Sequence, residues 1–195
     1  MNTFSGRMRP GCTVFLTGLP ASGKSTLANA LVSKFVDLGE GPVTLLDGDV
    51  ARKQMSPDLG FSKQDRDINV RRIGQAALDV TRNGGLAVCA PIAPYADVRD
   101  EVRRMIAPIG GFVLVYVATP LHVCEARDPK GLYARARAGL LEHFTGISDP
   151  YEPPDAPDVV VDTSYTSPDE ATRQILSFMD RSGLLRGSAR RFLPL

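Results

Sequence analysis

The sequence predicts an α/β domain of three layers, with a five-stranded parallel sheet between two layers of helices. Three observations carry that reading. Apolar runs of strand length recur five times, they are near-continuous in apolar character as strands buried on both faces are, and stretches with helical periodicity separate them. Thr13-Val14-Phe15-Leu16-Thr17 reads as the first strand and ends in a Gly-rich turn. Leu27, Ala30, Leu31, Lys34, Phe35 and Leu38 then recur at helical spacing, and Gly39 stands where such a helix stops. Val43 to Leu46 is the second strand, running into Asp47-Gly48-Asp49. Residues 63–83 read as a long helix carrying Ile68, Ile73, Ala76, Ala77 and Val80. Leu86 to Cys89 and Phe112 to Val117 are the third and fourth strands, with a helix near 95–107 between them. Val159 to Val161 is the fifth, and a last helix over 168–182 buries Ala171, Ile175, Phe178 and Met179.

A chain of 195 residues suits one such domain, and 43% hydrophobic with 23% charged residues is ordinary globular composition. Lys and Arg number 23 against 22 Asp and Glu, so the net charge of +1 supplies no field for nucleic acid. The apolar run Phe112 to Ala118 is far shorter than the roughly 20 residues a membrane span needs. Met1 to Arg7 lacks the apolar stretch of a signal peptide, so a cytoplasmic setting is expected. Cys12, Cys89 and Cys124 are odd in number and form no C-x-x-C pair, which predicts reduced, packed thiols. His122 and His143 share no catalytic or metal spacing. Arg71 and Arg72 read as solvated or ion-paired. Residues 128–157, with Gly131, Gly139, Gly146 and five prolines, break the rhythm and are expected to form a mobile lid. The tail over 184–195 is expected to be flexible.

Gly18-Leu19-Pro20-Ala21-Ser22-Gly23-Lys24-Ser25 matches G-x-x-x-x-G-K-[ST] between a predicted strand and a predicted helix. This is the P-loop NTPase pattern. The glycines let successive N–H groups turn toward phosphate oxygens at a helix N-terminus, Lys24 reaches the β- and γ-phosphates, and the Ser25 hydroxyl ligates Mg²⁺. G-x-G-x-x-G is missing, which argues against a dinucleotide. So is the guanine-reading N/T-K-x-D, which argues against a GTPase. A nucleoside triphosphate with Mg²⁺ and a small-molecule acceptor remain. Asp47 and Asp49 sit at the carboxyl end of the second strand, where ligands gather in open α/β sheets. They could hold Mg²⁺ through water and take a proton from an attacking hydroxyl. Arg66 and Asn69, three apart on a helix, share a face. With Arg52 and Phe61 they would suit an anion bearing a flat base, although each alone also reads as a surface charge or a packed aromatic.

These segments, together with Ala90-Pro91-Ile92-Ala93-Pro94-Tyr95, Asp128-Pro129-Lys130-Gly131-Leu132-Tyr133 and Phe144-Thr145-Gly146-Ile147, resemble the adenylylsulfate (APS) kinase family over about residues 10–183. The resemblance implies transfer of a phosphoryl group from ATP to the ribose 3′-hydroxyl of APS, giving ADP and 3′-phosphoadenylylsulfate (PAPS). It implies an ATP site at Gly18 to Thr26 with Arg127, and Lys24, Asp47 and Asp49 as the catalytic set. It places Ser25 and Asp49 on Mg²⁺. Arg52, Arg66 and Asn69 would hold the phosphosulfate, Phe61 and Phe144 would sandwich the adenine, and Asp49, Ile92, Ala93 and Lys130 would complete the acceptor site. A homodimer, and an ATP sulfurylase on a separate chain, are further implications. The family commonly carries serine where this chain has Ala93, so a phosphoserine intermediate is chemically impossible here and direct in-line transfer is expected. Another small-molecule P-loop kinase, or a non-catalytic nucleotide-binding regulator, stays open as an alternative reading.

Overall fold

The computed structural model describes residues 11–185. Five strands alternate with seven helices: β1 (Cys12–Thr17), α1 (Lys24–Asp37), β2 (Val43–Asp47), α2 (Gly48–Met55), α3 (Lys63–Arg82), β3 (Leu86–Ala90), α4 (Ala96–Ile106), β4 (Gly111–Val117), α5 (Leu121–Arg127), α6 (Leu132–Arg137), β5 (Val159–Val161) and α7 (Pro168–Arg181). The strands form one sheet in the order β2-β3-β1-β4-β5, and every pairing is parallel. β1 is central and buried along its whole length.

Alternate residues of a strand face opposite sides of its sheet, and β1 divides the core on that rule. Val14 and Leu16 join Leu27, Leu31 and Phe35 of α1 and Ile175, Leu176 and Met179 of α7. Phe15 joins Val70, Ile73 and Ala77 of α3 and Val98, Val102 and Ile106 of α4 on the other face. α3 and α4 approach so closely that a Cβ at Gly74 would lie 2.7 Å from a Val102 methyl. Ser62 caps α3 by accepting from the Asp65 N–H. Ser167 caps α7 through the Glu170 N–H, with Pro168 in its first turn. Cys12, Cys89 and Cys124 are free and buried. Arg71 pairs with Glu101 and Arg72 with Asp58.

Two elements differ from the sequence reading. The sequence reading assigns no helix after the second strand, whereas Asp47 ends β2 and caps α2, which Gly48 and Asp49 open. Residues 128–157, read as poor in apolar periodicity, contain α6 and a small core of their own. There Tyr133, Ala136 and Phe144 pack with Cys124, against Leu19, Leu121 and Ile147. Leu184 packs against the main core and Leu185 is buried in it, while the rest of the expected flexible tail lies outside the described residues.

Candidate functional site

Gly18 to Gly23 curl between β1 and α1, with Gly23 (φ +98°) at the N-cap of α1. The loop's carbonyls are tied outward. Thr119 and Thr163 hydroxyls donate to the Ser22 carbonyl at 3.0 and 2.9 Å, and the Tyr133 hydroxyl donates to the Pro20 carbonyl at 3.0 Å. Ser22 N–H donates to the Leu19 carbonyl at 3.2 Å, tightening the turn that Ala21 enters at φ +58°. The Lys24 ammonium is buried and donates to the Gly18 and Leu19 carbonyls at 2.9 and 2.6 Å. Burial lowers its pKa to about 8, against the raising influence of Cys124, Asp49 and Asp47. Ser25 and Thr26 follow in the exposed first turn of α1.

Asp47 is the N-cap of α2, its Oδ1 accepting from the Asp49 N–H at 2.9 Å. Its Oδ2 accepts the Ser25 hydroxyl proton at 2.7 Å. A serine that ligates a cation through Oγ must place its proton elsewhere, and Asp47 is already in place to take it. Asp49, in the first turn of α2, forms an ion pair with Lys130 from the 128–157 segment. Ser25, Asp47 and Asp49 are hard oxygen donors of the kind Mg²⁺ prefers. Among the described residues there is no cluster of three or more acidic, His or Cys groups. That fits a cation completed by water and substrate phosphates and not by an all-protein cage.

The residues expected to bind the acceptor come from α2, from α3 with the turn before it, and from the 128–157 segment. The Arg52 guanidinium lies 4.7 Å from the centroid of the Phe61 ring, and Phe61 itself is 57% exposed. Arg66 is buried and bridges the two aromatic segments. It donates to the Phe61 carbonyl at 2.8 Å, to the Thr145 hydroxyl at 2.6 Å and to the carbonyl of His143, next to Phe144. Burial lowers its pKa, and Asp149, 3.9 Å away, works against that. Phe144 is 9% exposed and meets Tyr133 edge-on, the ring centroids 5.0 Å apart. Asn69, one turn beyond Arg66, keeps a buried Oδ1 without a hydrogen-bond partner. An orphan of that kind costs on the order of 1–3 kcal/mol, which a donor on a bound ligand would relieve.

Ile92 and Ala93 lie beside the phosphate loop. The Thr17 hydroxyl, just before Gly18, donates to their carbonyls at 2.7 and 3.1 Å. Ala93 has φ +45°, a strained value for a residue with a side chain. Arg127 donates to the Thr163 hydroxyl and carbonyl at 2.7 and 2.8 Å, linking the end of α5 to the turn after β5. Motif reading missed Thr163, which holds both Ser22 and Arg127. Its one sequence signal is its place just beyond the carboxyl end of the fifth strand.

Comparison with known proteins bears on the family. The family model described as adenylylsulphate kinase matches residues 10–162. An adenylyl-sulfate kinase of Synechococcus sp. (strain JA-3-3Ab) is 48% identical over 91% of this chain and 99% of its own. A sulfate adenylyltransferase of Gibberella zeae is 44% identical over 90% of this chain but only 30% of its own. Among solved structures, the Mycobacterium tuberculosis APS kinase in complex with AMPPNP and APS superposes with a TM-score of 0.84 at 40% identity. That match covers 88% of this chain and 99% of that one. With the phosphate loop, the paired acids and the Arg–Phe cluster gathered at one edge of the sheet, and with relatives matched over nearly their full length, the chain belongs to the adenylylsulfate kinase family.

Proposed function

We propose that this chain phosphorylates the ribose 3′-hydroxyl of APS from ATP, releasing ADP and PAPS. The observation that carries the reading is the juxtaposition at Asp49. That residue lies two positions beyond Asp47, which accepts both the Asp49 N–H and the Ser25 hydroxyl proton, and its carboxylate is met by Lys130 from the 128–157 segment. Donor machinery, proton acceptor and lid thus converge on one point.

Lys24 and backbone N–H groups within Gly18 to Thr26 hold the triphosphate, with Arg127 alongside. Lys24 already lies within reach of the loop carbonyls that phosphate oxygens would replace as its partners. Ser25 and Asp49, supported by Asp47, would hold Mg²⁺, which when bound supplies charge neutralisation across the transferring phosphoryl group. Asp49 orients the 3′-hydroxyl and accepts its proton. Arg52, Arg66 and Asn69 take the phosphosulfate, and Phe61 and Phe144 the adenine, a stack worth about 1–3 kcal/mol per base. Lys130 ties the lid to Asp49, so water is kept from the γ-phosphate when the acceptor is aligned. None of the helices among the described residues is long and apolar enough to cross a membrane. A cytoplasmic enzyme, working as a homodimer with a separate ATP sulfurylase supplying APS, completes the reading.

The test is a coupled ADP-release assay with ATP, Mg²⁺ and APS, using AMP and adenosine as control acceptors. Turnover at micromolar APS with little on AMP is expected. ATP binding without APS turnover would overturn the assignment.

A further inference from the structure

Behind the residues assigned to the nucleotides, one buried network sews together three parts of the site. Arg99, in the first turn of α4, is 2% exposed. Its Nη1 donates to the Ala93 carbonyl and its Nη2 to the Glu152 carbonyl, both at 2.7 Å. Its guanidinium carbon lies 5.9 Å from the centroid of the Tyr151 ring. The Tyr151 hydroxyl meets the Thr17 hydroxyl at 3.0 Å, and the ring stacks on Tyr116. The Glu152 carboxylate accepts the Ala96 N–H at 2.6 Å, and the Glu152 N–H donates to the Pro94 carbonyl at 2.9 Å.

Helix stability does not explain this placement. A cation in the first turn of a helix opposes the macrodipole, and burying a guanidinium costs free energy unless it is fully hydrogen-bonded. What Arg99 gains is a grip on two backbones at once. One is the Ile92–Ala93 turn, whose left-handed Ala93 would relax without support. The other is the chain at Tyr151–Glu152, where the 128–157 segment returns to the sheet.

We propose that Arg99, Tyr151 and Glu152 are positioning residues for the phosphoryl acceptor, acting through the Ile92–Ala93 backbone and the root of the lid. This rests on the kinase reading above. Arg99 controls the geometry of the acceptor side, where Ala93 lies, while the triphosphate is held by N–H groups that Arg99 does not touch.

Steady-state constants and melting temperatures of two variants test it. Arg99→Lys keeps the charge but loses the two-backbone fork, and raises the APS KM about tenfold, the equivalent of one charged hydrogen bond. Its ATP KM stays within about twofold of wild type. Tyr151→Phe removes one oxygen, raising the APS KM about threefold with melting within about 2 °C of wild type. If Arg99→Lys does not fold, Tyr151→Phe decides alone. Unchanged APS constants in variants of an active wild type overturn the proposal. So does a parallel rise in both KM values with a lowered melting temperature, which marks a merely structural role. A wild-type chain that fails to phosphorylate APS overturns the functional reading itself, and the proposal falls with it.

Discussion

The phosphate-binding role proposed for Lys24 follows from how its charge is held: by neutral oxygens alone. Its ammonium is buried against carbonyls with no carboxylate in direct contact, and burial lowers its pKa to about 8. An unfolded lysine titrates near 10.4. Below about pH 8 both states carry the proton and the full burial penalty stands. Between about 8 and 10.4 the folded chain releases it first, so this group makes stability rise with pH across that window. Triphosphate binding reverses the shift, because the anion favours the charged form. Calorimetry at about pH 8.5 in two buffers of different ionisation enthalpy is expected to show uptake of more than half a proton per ATP bound. Lys24→Met is expected to abolish both the uptake and turnover. A binding enthalpy independent of buffer in the wild-type chain would contradict this account. The sequence made Lys24 legible because its motif is contiguous. Asp47 was legible as an acid but not as the residue that both caps α2 and accepts the Ser25 proton, since those partners are 22 residues apart or lie in a helix the pattern hid.

At the scale of elements, what periodicity could see came out well and what it could not see was short. All five strands and the four longest helices follow long apolar repeats. α2 and α6 have eight and six residues, too few turns to display a repeat, and α6 follows Gly131 in a segment dominated by turn residues. Its stability comes from packing that only the folded chain creates, with Tyr133 buried beneath Phe144 and bonded to the phosphate loop at Pro20. The 128–157 segment therefore carries its own small core, separate from the two cores of the sheet. Phe144→Ala is expected to empty that core, a change that costs about 3–5 kcal/mol in a main core. The loss would fall on the lid. Trypsin is expected to cut at Arg135 or Arg137 in the variant well before the sheet domain unfolds, and the APS KM is expected to rise. Wild-type resistance to trypsin together with an unchanged APS KM in the variant would show that the lid core has no part in acceptor binding.

For the whole molecule, the sheet order is what makes the site, and local sequence does not state it. Because β1 lies between β3 and β4, Thr17 and Gly18 come beside Ile92 and Ala93, and the turn after β5 brings Thr163 to Ser22. That arrangement sets donor and acceptor machinery face to face, and it bears on the order of chemical events. A double displacement needs a protein nucleophile at the meeting point. Ala93 has no hydroxyl, and three hydroxyls nearby are engaged: Thr17 donates to two carbonyls, Ser22 accepts from Lys24, and Ser25 donates to Asp47. Direct passage of the γ-phosphoryl group to the acceptor, with both nucleotides bound, is therefore the expected order. Initial-velocity lines at several fixed APS concentrations are expected to intersect. After incubation with γ-³²P-labelled ATP without acceptor, denatured protein is expected to retain no label. Parallel lines, or stoichiometric label on the chain, would require a nucleophile that this arrangement does not provide.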